Sequence, residues 1–126
     1  MQIQIEPTSE IPIYTQLANQ LIELIAKSEL QPHAALPSVR SLAADLGVNM
    51  HTVNKAYHEL HHKGIISVIP KSGAVVNPLP EKSSEAARQR VCDTLHPLIA
   101  EALVYGMTRD EILSLASSLI SEFTEE

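Results

Sequence analysis

A chain of 126 residues, 44% of them apolar, has room for one compact domain plus a small appendage, and with only 3% aromatic residues its core must be aliphatic. A single cysteine, Cys92, excludes an internal disulfide framework and fits a reducing compartment. No N-terminal signal is read, and the apolar stretches fall short of a membrane span; the expectation is a soluble, cytoplasmic protein without a membrane partner.

The first predicted helix covers residues 13–28, with Pro12 tolerated at its entry and Leu17, Leu21, Leu24 and Ile25 facing inward as scaffold. Tyr14 is read as a part-buried core tyrosine in preference to a phosphate contact. Residues 36–64 then hold two short amphipathic helices separated by a tight glycine turn. In the first, Leu42, Ala43 and Leu46 share a face, Ser38 follows Pro37 as a helix cap, and Gly47 terminates the element. Asn49 caps the second, which gathers Val53, Ala56, Tyr57 and Leu60 on one side and His51, Asn54, Lys55, His58 and His62 on the other. A plain solvated helix shows the same binary pattern. However, a polar face that opens with His, Thr, Asn and Lys suits the base edges and phosphates of a major groove, and the layout is that of a helix-turn-helix reader. β-Branched runs at 65–69 and 74–76 flank a Pro/Ser/Gly turn and predict a hairpin, a wing with Lys71 at its tip near the sugar-phosphate backbone or the minor groove.

Residues 77–84 carry two prolines and two serines and read as a linker, so the expected division is a winged helix-turn-helix domain over 11–79 and a helical dimerisation region over 83–124. The fold class is mainly α with a small β-hairpin. In the tail, Ala87, Val91, Leu95, Leu98, Ile99, Ala102 and Leu103 recur at helical spacing until Gly106, with Pro97 predicting a kink near His96 at a cost of ~3 kcal/mol. A capping box, Thr108 to Glu111, starts a last helix with Ile112, Leu115, Ala116, Leu119, Ile120 and Phe123 as its stripe. Two such helices cannot bury a core of their own and must pack on something. Docking on the winged helix is one solution. A second copy is the other, since two half-sites need two readers; the candidate dimer residues are Val91, Leu95, Leu98, Ile99, Leu103, Ile112, Leu115 and Leu119.

His58, His61 and His62 lie within two turns, and Cys92 and His96 are one turn apart, but no carboxylate completes an obvious ligand set, so no metal or cofactor is expected. Cys92 is read as a small core residue rather than a sensor thiol. No phosphate-cradling glycine loop and no nucleophile with its base is visible, which argues against an enzyme.

Several linked motifs resemble the DNA-binding domain of the GntR family of bacterial transcription regulators over residues 11–78. They are Pro12-Ile13-Tyr14 with Gln16, Leu36-Pro37-Ser38-Val39-Arg40, Leu46-Gly47-Val48-Asn49, Thr52-Val53, Lys55-Ala56-Tyr57, Leu60, Gly64 and Ser72-Gly73. The resemblance implies that Arg40 contacts phosphate or a base and that positions 50, 51, 52 and 54 enter the major groove. With the residue pattern, it makes Ser38, Arg40, Asn49, Met50, His51, Thr52, Asn54, Lys55, Lys71, Ser72 and Gly73 the candidate DNA-binding set. The chain departs from the family at Pro32-His33-Ala34, where Pro-Gly-Asp is common, at Met50-His51 in place of Pro-Asn, at Asn54 in place of Arg, and at Lys71 in place of a wing glycine. The short two-helix tail resembles the YtrA-like subgroup, often linked to transporter operons.

The net charge of −6 fits once it is divided: residues 1–80 hold six acids and five bases, the remainder nine acids and four bases, so the acidity lies away from the reading face. The expected function is a sequence-specific regulator, a repressor that binds a palindromic operator as a homodimer, with an unidentified small-molecule effector left open. The alternative is an effector-sensing or protein-interaction module in which DNA binding is secondary.

Overall fold

The computed structural model describes residues 1–70 and 73–124. The chain divides into two compact units, Met1–Leu79 and Pro80–Glu126. The first contains α1 (Ile13–Ala26), β1 (Ala35–Leu36), α2 (Val39–Leu46), α3 (Met50–His62), β2 (Ile66–Ile69) and β3 (Gly73–Val76); the second contains α4 (Glu85–Val104) and α5 (Arg109–Phe123).

In α1, Leu17, Leu21 and Ile25 recur every four residues and are buried with Ala18. The helix ends at Ala26, two residues earlier than its apolar spacing predicts. Ser28 turns to a φ of 63°, and the N–H groups of Glu29 and Leu30 fold back to donate to the Leu24 carbonyl.

Ahead of α1, residues 1–6 form an extended arm on the same unit, an element that the sequence reading did not assign. Its clamp is made of two side-chain amides. Gln16 and Gln20 stand one helical turn apart, and each imitates a peptide group. Gln20 accepts from Gln4 N at 2.9 Å and donates to its carbonyl at 2.6 Å, while Gln16 accepts from Glu6 N at 2.9 Å and donates to its carbonyl at 3.1 Å. Ile3 and Ile5 are half-buried and pack against the core.

Helices α2 and α3 begin and end where their caps dictate. Ser38 Oγ accepts from Ser41 N at 3.1 Å, Gly47 closes α2 at φ 68°, and Asn49 Oδ1 accepts from His51 N at 2.7 Å. On the inner side of α3, Val53, Ala56, Tyr57 and Leu60 are each at most 2% exposed. Tyr57 also donates its hydroxyl proton to the Pro37 carbonyl at 2.7 Å, fastening α3 to the turn that leads into α2.

The sheet is antiparallel with β3 in the middle, in the order β1-β3-β2. The hairpin pairs Ile66 with Val76 and Ile69 with Gly73, and Ala74 and Val76 point into the core with Ile66. Lys71 and Ser72 at its turn lie outside the described residues. The third strand, β1, pairs Ala35 with Val75 and Leu36 with Ala74. It is reached through His33, whose N–H donates to the Val76 carbonyl at 2.8 Å and whose φ is 69°, the left-handed conformation a glycine would take without strain. Gly73 takes φ 92°, a conformation that favours glycine, and a Cβ there would also come 3.3 Å from the Leu36 carbonyl oxygen, a tight contact.

In the second unit Ser84 caps α4 by accepting from Ala87 N at 3.0 Å. The capping box of α5 is complete: Thr108 Oγ1 accepts from Glu111 N and Glu111 Oε1 accepts from Thr108 N, both at 3.1 Å. α4 stays helical through Pro97. No residue of either helix is buried in the single chain.

Two predictions follow from these local constraints. Holding His33 left-handed costs about 1 kcal/mol, of which glycine's extra freedom in the unfolded chain returns a part. His33→Gly is therefore expected to raise the urea-unfolding stability by about 0.5 kcal/mol, and His33→Val to lower it by more than 1 kcal/mol. Burial pushes the Tyr57 hydroxyl pKa up from its ordinary value near 10 to about 12, so folding favours the protonated phenol. That contribution is complete below pH ~10 and is lost as pH rises through about 12. Tyr57→Phe should cost about 1 kcal/mol at neutral pH and remove this alkaline loss from the pH dependence of unfolding.

Candidate nucleic-acid interface

Because α3 buries one stripe, its other side is fixed outward: Met50, His51, Asn54, Lys55, His58 and His62 are exposed, and Thr52 is half-buried. Ser38, Arg40 and Asn49 are exposed beside them. A cleft runs between this surface and the hairpin. One wall carries Ser38, Val39, Arg40, Met50, Asn54, Tyr57 and His58, and the other Val68, Ile69, Pro70 and Gly73. Of the candidate set, Ser38, Arg40, Met50, Asn54 and Gly73 thus meet at one cleft, and Asn49, His51, Thr52 and Lys55 lie outside its lining. Asn49 is committed to capping, which leaves its amide a structural task. Lys71 and Ser72 are outside the described residues.

Lys55 has a definite position. Its ammonium sits 4.1 Å from the centroid of the half-buried Tyr14 ring, so the quadrupole of the ring holds the cation near the start of α1. Lys63, by contrast, lies 3.9 Å from the Glu59 carboxylate one turn away. His61 Nδ1 is 3.3 Å from the Ile66 carbonyl, which holds that imidazole against β2. Among the described residues no group of three or more His, Cys, Asp or Glu side chains is placed to hold a metal ion. No described helix is long and apolar enough to cross a membrane.

The reading of Cys92 as a core residue is corrected: α4 exposes it in the single chain, as it exposes nearly all its neighbours. The α4–α5 pair presents an apolar groove lined by Leu95, Leu98, Ile99, Ala102, Tyr105, Met107, Ile112, Leu115, Ala116 and Leu119 with Glu101 at its edge. Six of the eight candidate dimer residues are in it, while Val91 and Leu103 are exposed elsewhere on α4. Tyr105 and Met107, in the turn between the helices, join the groove without belonging to either helical stripe, which is why periodicity passed over them.

Comparison with known proteins identifies the family. The profile of bacterial regulatory proteins of the gntR family matches residues 13–76, from the start of α1 to the end of β3. The HTH-type transcriptional repressor YtrA of Bacillus subtilis (strain 168) is 35% identical over 111 residues, covering 87% of this chain and 85% of its own. Among solved structures, YtrA from Sulfolobus acidocaldarius, described as a GntR-family transcription factor, is 46% identical with a TM-score of 0.62, over 78% of this chain and 97% of its own. A chain described as a transcriptional antiterminator from Listeria monocytogenes EGD-e is 28% identical with a TM-score of 0.89, over 98% of this chain and 92% of that one. The protein is therefore not an enzyme but a member of the gntR family of bacterial regulators, a DNA-binding winged helix-turn-helix transcription regulator.

Proposed function

We propose that this regulator is a cytoplasmic repressor that binds a palindromic operator as a homodimer, with α3 in the major groove, the hairpin along the backbone, and α4 and α5 pairing with those of a second copy. A transporter operon is the target class that its likeness to YtrA favours. The observation that carries the homodimer is the state of the second unit. Its leucines and isoleucines are half-buried at best, with Val91 63%, Leu95 48%, Leu98 57%, Leu115 51% and Leu119 46% exposed, and an apolar surface so continuous is covered in a stable soluble protein. A second copy supplies an identical surface and doubles the reading heads in one step.

The primary test is a gel shift of the full chain with the promoter of its own operon; a module that only binds proteins leaves that duplex unshifted. Removal of residues 81–126 is expected to give a monomer by sedimentation that binds the operator at least a hundredfold more weakly, because the second half-site no longer adds its binding energy. A truncated dimer, or a full-length monomer at micromolar concentration, contradicts the assignment.

The exposed Asn54 amide matches the N6 and N7 of adenine, whereas an Arg fork matches the O6 and N7 of guanine, and either discriminates by ~1–3 kcal/mol. Asn54→Arg should therefore shift one operator position in each half-site from adenine to guanine in a selection from random duplexes, with fold and dimerisation unchanged. The same operator from both proteins would leave Asn54 with backbone or water contacts only.

A further inference from the structure

Among the described residues of the first unit, the large apolar side chains left exposed are Met1, Ile11, Met50, Val68, Ile69 and Leu79. Three of them, Met50 at 46%, Val68 at 45% and Ile69 at 41%, line the cleft that also holds Arg40 and Asn54. This half of the surface apolar groups is thus concentrated where phosphate- and base-binding groups converge, and Met50 stands on the reading helix itself. Met50 is the first residue of α3, and the Asn49 cap fixes the turn that carries it. It precedes Asn54 by four residues, so the two side chains share one helix face about 6 Å apart along the axis.

In a major groove the base edges present hydrogen-bonding groups and a single kind of apolar group, the 5-methyl of thymine. A thioether neither donates nor accepts strongly, and its flexible, polarizable chain gains most against a methyl surface. We propose that Met50 is a specificity-determining residue that reads a thymine methyl group within about two base-pair steps of the base read by Asn54, so that each operator half-site carries two neighbouring A·T pairs in the stretch that α3 reads. The assignment rests on the operator-binding reading above. It adds to it the chemical class of the contact: an apolar one, blind to hydrogen-bond pattern and sensitive to a single methyl group.

The test uses the full chain and duplexes recovered by selection from a random pool. Each thymine of the recovered half-site is replaced in turn by dU, which keeps every hydrogen-bonding group and lacks only the methyl. One replacement is expected to weaken binding about fourfold, the worth of one buried methyl group. Met50→Ala, which removes the contact from both half-sites, should bind the parent duplex about sixteenfold more weakly, about fourfold for each half-site, and show no further penalty for that dU, and Met50→Leu should retain the penalty. Wild-type protein that binds dT and dU duplexes equally at every position, or a penalty that persists in Met50→Ala, overturns the role of Met50 and leaves the operator reading intact. A selection that recovers no duplex overturns the operator reading and this assignment with it.

Discussion

The buried stripe of α3 is the constraint from which the rest of the first unit follows. Val53, Ala56, Tyr57 and Leu60 occupy positions that only a 3.6-residue period brings onto one side, and they are driven against Leu17 and Leu21 of α1, Leu42 of α2 and Ile66 of β2. Once that stripe is inside, the azimuth of the helix has no freedom left, and residues 50, 51, 54, 55 and 58 face solvent together. A register error of one residue would bury Asn54 without a partner and expose Leu60, each at a cost of a few kcal/mol. The hydroxyl of Tyr57 adds a directional tie to Pro37, so the start of α2 with Arg40 and the start of α3 with Met50 move as one surface. In this way the hydrophobic core sets the direction of the exposed groups on α3.

A complementary constraint governs the second unit. Helices α4 and α5 are well formed locally, since Ser84 and the Thr108–Glu111 box satisfy their first-turn donors, yet capping supplies about 1 kcal/mol per end and cannot replace a core. Their apolar groove is the reason to look for a partner copy. The acidic balance of residues 81–126, nine acids against four bases, disfavours phosphate contacts by that part of the chain.

What was legible in the sequence was what is decided locally. Ser38, Asn49 and Thr108 cap because a short oxygen-bearing side chain can fold onto its own helix end, and Gly47 closes α2 because a left-handed residue is needed there. The hairpin followed from β-branched runs around a turn. The remaining features are decided by partners distant in the chain. β1 is two residues long and carries no pattern of its own; it exists because β3 offers a free edge and because His33 accepts a conformation ordinarily left to glycine. The N-terminal arm is held by Gln16 and Gln20, whose spacing is plain only once their amides are known to act as peptide groups. The end of α1 depends on Ser28 turning left-handed, and a period of 3.6 cannot show that. Cys92 was misplaced because free cysteines are in general among the most buried residues, whereas α4 in the single chain leaves this one exposed. At the candidate interface, the exposure of Asn54 was visible from the polar pattern of α3 and Arg40 was named through the family resemblance, whereas the cleft and its apolar wall of Val68 and Ile69 emerged only from the pairing of β2 with β3.

The account stands or falls on the outward face of α3 being the surface that meets DNA. Its most direct test is the set of backbone amide chemical-shift changes when the full chain is titrated with its operator duplex. The shifts should be largest at residues 38–41, 49–55 and 68–73, with Tyr14 moving as Lys55 exchanges its aromatic ring for a phosphate. Shifts confined to residues 91–119, with residues 49–55 unmoved, would contradict it.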